Sequence, residues 1–174
     1  IAGTRSPTGD EAGWEFGVDS RGMLLFQAVV GPGVSCYAVG KTGLRDGAWH
    51  HVAATRAGGH ASLFVDGVEE TADRQDGEGA ISSMAGLLIG RTPSLNDHPE
   101  TRWKGGIDEL SLYSRALEPQ EIWAIRSAGA LGKCGVTPAA PGLLTVDSVS
   151  LAAGGIPTLI LEWGGGASAG FQVE

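Results

Sequence analysis

Short segments in which apolar and polar residues alternate recur along the N-terminal part of the chain. Trp14, Phe16 and Val18, for example, occupy every second position of one such segment. A period of two is typical of strands with one buried face. The pattern predicts strands at residues 14–18, 23–30, 35–39, 49–55, 61–65, 68–72, 87–90 and 107–113.

An Asp-Gly pair joins two of these segments. Asp66 and Gly67 lie between residues 61–65 and 68–72. This dipeptide favours a two-residue hairpin turn, because both of its central residues need a positive φ. We therefore expect an antiparallel meander at this point, and an all-β fold around it.

One helix is expected, at about residues 119–128. Pro119 suits a first helical turn, and Ile122 and Ile125 give one apolar face. Gly129 follows as a residue typical of a helix C-terminus.

The character of the sequence changes after this helix. Residues 135–142 read GVTPAAPG, which predicts a linker. Further strand-like segments follow at 143–149 and 159–163. We therefore divide the chain into a first domain at 1–134, the linker at 135–142, and the start of a second β-domain at 143–174.

Composition restricts the partners. The formal net charge is −8 and the pI is about 4.9, so a phosphate backbone would be repelled and nucleic acid is not expected as a partner. Such a charge suits a neutral ligand or a cation, and it also keeps an extracellular protein soluble. No apolar run approaches the roughly 20 residues that span a bilayer, so membrane insertion is not expected.

The chain contains two cysteines, Cys36 and Cys134. A bridge between them would close a loop of roughly 100 residues and stabilise the fold by about 4–5 kcal/mol in the chain-entropy model. We expect this disulfide, and with it an oxidising compartment, although two free thiols are the alternative.

An ordered set of short motifs resembles a known family. The motifs are WHHVA at 49–53, LFVDG at 63–67, IGR at 89–91, GIDEL at 106–110, YSRAL at 113–117 and EI at 121–122. Together, over about residues 10–130, they resemble the laminin-G-like, concanavalin-A-like jelly rolls of secreted bacterial multidomain proteins. The resemblance implies an antiparallel two-sheet jelly-roll sandwich with one short C-terminal helix.

The resemblance also implies features at the two ends of the chain. Members of the family usually begin with an aromatic-rich, EAWV-like strand, and no such segment precedes Ile1. We therefore expect residues 1–134 to lack the first strands of the jelly roll. Residues 161–163 and 171–173 weakly resemble the early strands of a fibronectin-III-like sandwich.

Asp108 is the candidate metal ligand. By period two it shares a face with Leu110 and Leu112, where a carboxylate needs a partner. Its position resembles that of a structural Ca²⁺ ligand in the family, and Asn96 and Asp97 would add oxygen atoms. Alternatively, Asp108 accepts backbone N–H groups or pairs with Arg115.

Trp103 is the candidate ligand-binding aromatic residue. Its ring could stack on a sugar, with Asn96, Asp97 and His98 of the same loop beside it. The alternative is that Trp103 packs against the helix or the sheet edge.

No pattern of residues predicts catalysis. Glu109 is expected on the face opposite Asp108, so the two cannot act as a facing acid and base. His50 and His51 likewise alternate, which excludes one metal shared between them. We therefore expect a non-catalytic module.

The predicted function is that of a secreted or cell-surface module that binds a glycan or an extracellular protein. Two alternatives remain open. One is a structural repeat that pairs with neighbouring chains in a filament or coat, and the other is an accessory domain of a secreted glycan-active enzyme.

Overall fold

A computed structural model describes residues 1–4, 12–83, 85–91 and 102–129, together with the backbone of 159–164. Eleven strands and one helix lie in these ranges. They are β1 (Ala2–Gly3), β2 (Gly13–Val18), β3 (Met23–Gly31), β4 (Val34–Gly43), β5 (Trp49–Ala57), β6 (His60–Val65), β7 (Val68–Glu69), β8 (Asp73–Gln75), β9 (Leu88–Ile89), β10 (Gly106–Leu112), α1 (Pro119–Ala128) and β11 (Leu159–Gly164).

The strands form two antiparallel sheets. One sheet has six described strands in the order β8-β4-β3-β2-β1-β9, and the other has five in the order β10-β11-β5-β6-β7. This arrangement confirms the prediction of an all-β, two-sheet jelly-roll sandwich. The short strands β1 and β8 were not predicted, because two or three residues carry no visible alternation.

The main core lies between the two sheets. Alternate residues of the inner strands point into it, as the period-two pattern predicts. Its largest buried side chains include Trp14, Phe16, Leu24 and Phe26 from the six-stranded sheet and Val52 and Leu63 from the five-stranded sheet.

A smaller apolar cluster lies on the outer face of the five-stranded sheet. Ile122 of α1 is fully buried there, against Ala53 and Phe64 of β5 and β6. The helix thus covers the outer face of this sheet, and its bounds match the predicted range of 119–128.

The first turn of α1 is fixed by a carboxylate. Glu121 Oε2 accepts the N–H of Glu118 at 2.9 Å, and both Glu121 oxygens accept from Arg115, at 2.6 and 2.7 Å. The Arg115 hydrogen bonds lower the pKa of Glu121 to about 2. A carboxylate held in this way stays ionised at the positive end of the helix dipole.

The Asp-Gly hairpin forms as predicted. Asp66 has φ of 51° and Gly67 has φ of 81°, which are the two positive values that such a turn requires. The Asp66 amide also donates to the carbonyl of His51 at 2.8 Å, so the turn is tied to β5.

The expected disulfide is not formed at Cys36. This residue is a free, fully buried thiol whose neighbours belong to the core between the sheets. The helix that precedes Cys134 lies instead on the outer face of the other sheet. Burial raises the pKa of the Cys36 thiol, which leaves it protonated and unreactive. Cys134 itself lies outside the described residues.

The segment assigned to a second domain contributes one described strand. β11 pairs with both β5 and β10, so in the structure residues 159–164 belong to the five-stranded sheet. The linker at 135–142 and the other residues of 143–174 lie outside the described part, so the division into two domains stays a prediction. No helix in the described ranges is long and apolar enough to cross a membrane.

Candidate functional site

A β-bulge in β10 changes the position of Asp108. Glu109 has φ of +53°, and the pairing register with β11 shifts between Asp108 and Ser111. Ile107 and Leu110 both pack against the core, although three positions separate them. The prediction that Asp108 shares the core face with Leu110 was therefore wrong, because the bulge reverses the alternation.

Asp108 is consequently exposed to solvent. Its Oδ1 accepts the amide N–H of Glu109 at 2.9 Å, whereas Arg115 pairs with Glu121. Asp108 therefore accepts a backbone N–H group, as one of the two alternatives predicted, and it does not pair with Arg115. Asp108 still offers an oxygen to a cation.

The other expected Ca²⁺ ligands, Asn96 and Asp97, lie outside the described residues. Within the described ranges, no group of three His, Cys, Asp or Glu side chains is arranged to hold a metal. The Ca²⁺ site therefore remains a prediction.

Trp103 packs against the main core and is half-buried. Its amide donates to the carbonyl of Gly90 at 2.7 Å, and the neighbouring Arg102 forms an isolated antiparallel bridge with Arg91. This arrangement favours the packing alternative for Trp103. Asn96, Asp97 and His98 belong to the segment between the two arginines, which the structure does not describe.

The two adjacent histidines have separate environments. His51 is buried, whereas His50 lies between two carboxylates, with Nδ1 2.9 Å from Asp66 Oδ2 and Nε2 3.1 Å from Asp46. Partial burial lowers the pKa of His50, but the hydrogen bonds to Asp66 and Asp46 outweigh burial and raise it. Both ring nitrogens can then donate, so the imidazolium joins the loop before β5 to the β6–β7 turn.

A polar row crosses the outer face of the six-stranded sheet. Glu15 of β2 pairs with Gln27 of β3, Gln27 pairs with Tyr37 of β4, and Tyr37 pairs with Gln75 of β8. Residues opposite one another in adjacent antiparallel strands project from the same face. These four residues, here called the Tyr37 row, therefore stand side by side.

The Tyr37 row lies on the face that α1 does not cover. Glu15, Gln27 and Tyr37 are half-buried by their neighbours, and Gln75 is exposed. Adjacent strands are about 4.8 Å apart, so the four residues span about 14 Å. Tyr37 Oη donates to Asp73 Oδ2 at 3.5 Å, which joins the side chain of Tyr37 to β8.

This combination of groups suits a neutral polar ligand. The ring of Tyr37 offers an apolar surface, and the side chains of Gln27 and Glu15 offer hydrogen-bond donors and acceptors. Glu15 and Asp73 are the two carboxylates in and beside the row among the described residues. Their strands are three spacings apart, about 14 Å between backbone positions, which is wider than the 5–9.5 Å or so between the carboxyl groups of glycosidases.

The sequence offered a weak signal for the Tyr37 row. Glu15, Gln27 and Tyr37 each occupy a polar or amphipathic position between two buried residues of a predicted strand. Alternation therefore places each on an outer face. Their alignment across strands depends on pairing registers, and Gln75 lies in a strand that was not predicted.

Comparison with known proteins agrees with this architecture. A family model described as the concanavalin A-like lectin/glucanases superfamily matches residues 1–123. No solved structure matches the chain significantly.

Proposed function

The chain belongs to the concanavalin A-like lectin/glucanase superfamily, and from this premise we propose that it is a non-catalytic module that binds carbohydrate. The family supports ligand binding in general terms. The observation that carries the proposal is the Tyr37 row, because it places an aromatic ring between hydrogen-bonding groups on a sheet face that α1 does not cover.

The proposed ligand is a neutral oligosaccharide bound along the row. The ring of Tyr37 stacks on a sugar, while Gln27, Glu15 and Gln75 contact its hydroxyl groups. A net charge of −8 disfavours anionic glycans, since the whole protein would repel them. The wide separation of Glu15 and Asp73 supports binding without hydrolysis.

The proposed setting is extracellular, on a secreted or surface-attached protein. The natural ligand is then a glycan, or an extracellular protein that carries one.

We also propose that Ca²⁺ binds beside Asp108 with Asn96 and Asp97 as further oxygen ligands. Asp108 fits such a role because its carboxylate is exposed and only one of its oxygens accepts an amide in the described contacts.

A glycan array followed by calorimetric titration tests the proposal. For the best neutral oligosaccharide, Tyr37→Ala should bind about tenfold more weakly, equivalent to about 1.4 kcal/mol. Tyr37→Phe should retain most of the affinity, because the ring is kept. Trp123→Ala is the matched control, since Trp123 is an exposed aromatic residue on the helix side of the sandwich.

The same titrations, made with added calcium and with a chelator, separate the two sites. Higher affinity or a higher melting temperature with calcium would support the cation site. If no glycan binds the parent protein, or if Tyr37→Ala binds as tightly as the parent, the proposed site is wrong.

A further inference from the structure

The five-stranded sheet contains a strand from far along the chain. All six residues of β11 pair antiparallel with β5, from Leu159 opposite Ala54 to Gly164 opposite Trp49. On its other side β11 pairs antiparallel with β10, from Gly106 opposite Gly164 to Leu112 opposite Leu159. We call the space between Trp49–Ala57 and Gly106–Leu112 the β5–β10 slot.

The strand in this slot lies outside the residues that match the family model. The family model ends at residue 123, and residues 130–158 separate the end of the helix segment from β11. The two walls of the slot, in contrast, both belong to the matched region. The matched region therefore presents a gap that a separate segment fills.

The gap needs an occupant for a physical reason. β10 stands at the end of the strand order and is joined to the sheet only through β11 among the described strands. An empty slot would leave two strand edges with unpaired N–H and C=O groups, which is costly and promotes pairing with other chains. The register positions of Leu159 and Leu161 lie opposite Ala54 and Val52, which face the main core.

We infer that the β5–β10 slot is a strand-accepting site, which recognises an extended, proline-free peptide through main-chain hydrogen bonds on both of its walls. Its occupant is the chain's own segment at residues 159–164. Strand addition of this kind draws its affinity from the backbone, and the alternate positions that face the core provide selectivity.

The length of the tether favours the chain's own strand over that of a second copy. An unstructured reference chain of 29 residues, the number between Gly129 and Leu159, has a root-mean-square span of about 30 Å, comparable with the width of a small domain. Tethering at this length gives an effective concentration on the order of millimolar. Insertion from a second copy becomes competitive only near that protein concentration.

A double proline variant of the full chain tests the inference. Consecutive strand residues direct their N–H groups to opposite sides, so Ile160→Pro/Leu161→Pro removes one donor toward each wall. Ile160→Ala/Leu161→Ala is the matched control, because it shortens the side chains and keeps both donors. The proline variant should melt at a lower temperature than the alanine variant.

A capped synthetic peptide of residues 158–165 then serves as the probe. It should bind the proline variant and restore much of its melting temperature. Its affinity for the parent protein should be at least about tenfold lower, because the slot of the parent is already occupied. A peptide with proline at the same two positions should not bind. An unchanged melting temperature of the proline variant, or no binding of the first peptide, would overturn the inference.

Cross-linking provides a second measurement if the proline variant does not fold. Asp108 pairs with Glu162, so Asp108→Cys/Glu162→Cys should form a disulfide within one chain under mild oxidation. Trp49→Cys/Gly106→Cys is the matched control. Both of these residues pair with Gly164, so they lie two strand spacings apart, about 9.6 Å, which is too far for a bridge.

The cross-linking products distinguish insertion of the chain's own strand from insertion by a second copy. A disulfide in the monomer, located by peptide mapping, supports insertion of the chain's own strand. A disulfide-linked dimer overturns that assignment in favour of a second copy. Free thiols in the first variant, or a disulfide in the control, would overturn the inference that a strand occupies the β5–β10 slot.

Discussion

His50 shows how two neighbouring carboxylates control the titration of a single side chain. Its ring lies between Asp46 and Asp66, and only 12% of the side chain is exposed. Asp66 has a second role, because its other oxygen accepts the amide of His51 at 3.1 Å. Asp66 follows His50 by 16 positions in the sequence, and the β5–β6 pairing returns the chain so that Asp66 lies beside the start of β5.

The pairing predicts a specific dependence of stability on pH. The folded-state pKa of His50 is raised above its ordinary value of 6.5, so the folded protein binds the proton more tightly than the unfolded chain. The contribution is present in full below pH 6.5 and is lost as the pH rises through the raised pKa. Urea denaturation at about pH 5.5 and about pH 8 measures this loss.

Variants test whether His50 is responsible for this pH dependence of stability. His50→Gln should reduce the difference in unfolding free energy between the two pH values. Asp46→Asn should lower the pKa of His50 in an NMR titration. His60→Gln is the control, since His60 is an exposed histidine that pairs with Asp76 at 2.9 Å. An equal pH dependence in parent and His50→Gln would contradict the prediction.

The bulge in β10 is the decisive feature at the scale of single elements. Before it, Ile107 packs against the core, and after it Leu110 and Leu112 do so. One residue with positive φ thus determines which carboxylates face solvent. Periodicity predicted the strand but not the bulge, because an ordinary Glu occupies a conformation that usually favours glycine.

This conformation predicts a stabilising substitution. A non-glycine residue in the left-handed region costs about 1–2 kcal/mol, so Glu109→Gly should raise the melting temperature by about 2–8 °C. Glu109→Val should lower it, because a β-branched residue tolerates this region poorly. Calorimetry measures both, with Asp108→Gly as the control at a neighbouring residue without positive φ. A melting temperature of Glu109→Gly at or below that of the parent would argue against strain at the bulge.

Among the described residues, two apolar clusters pack on the two faces of the five-stranded sheet. The larger lies between the sheets, and the smaller joins α1 to the outer face through Ile122 and Phe64. The helix does not cover the outer face of the six-stranded sheet, and the Tyr37 row lies on that face. The position of the single described helix therefore leaves the proposed binding face on the six-stranded sheet.

Removal of the helix anchor should destabilise the protein markedly. Ile122 is fully buried, so Ile122→Ala should lower the free energy of unfolding by about 2–5 kcal/mol. Gln120→Ala, at an exposed position of the same helix, should change it by less than about 0.5 kcal/mol. Urea denaturation with matched samples compares them. Equal stabilities would mean that the helix contributes little to the cooperative unit.

The fold class, the Asp-Gly hairpin and the bounds of α1 could be predicted from the amino-acid sequence. Alternation, turn residues and helix-end signals act within a few neighbouring positions, so they can be read locally. Only the folded arrangement showed the face of Asp108, the free state of Cys36, the alignment of the Tyr37 row and the placement of β11. These features depend on strand register, on a bulge and on pairing between distant segments, and no local pattern specifies any of them.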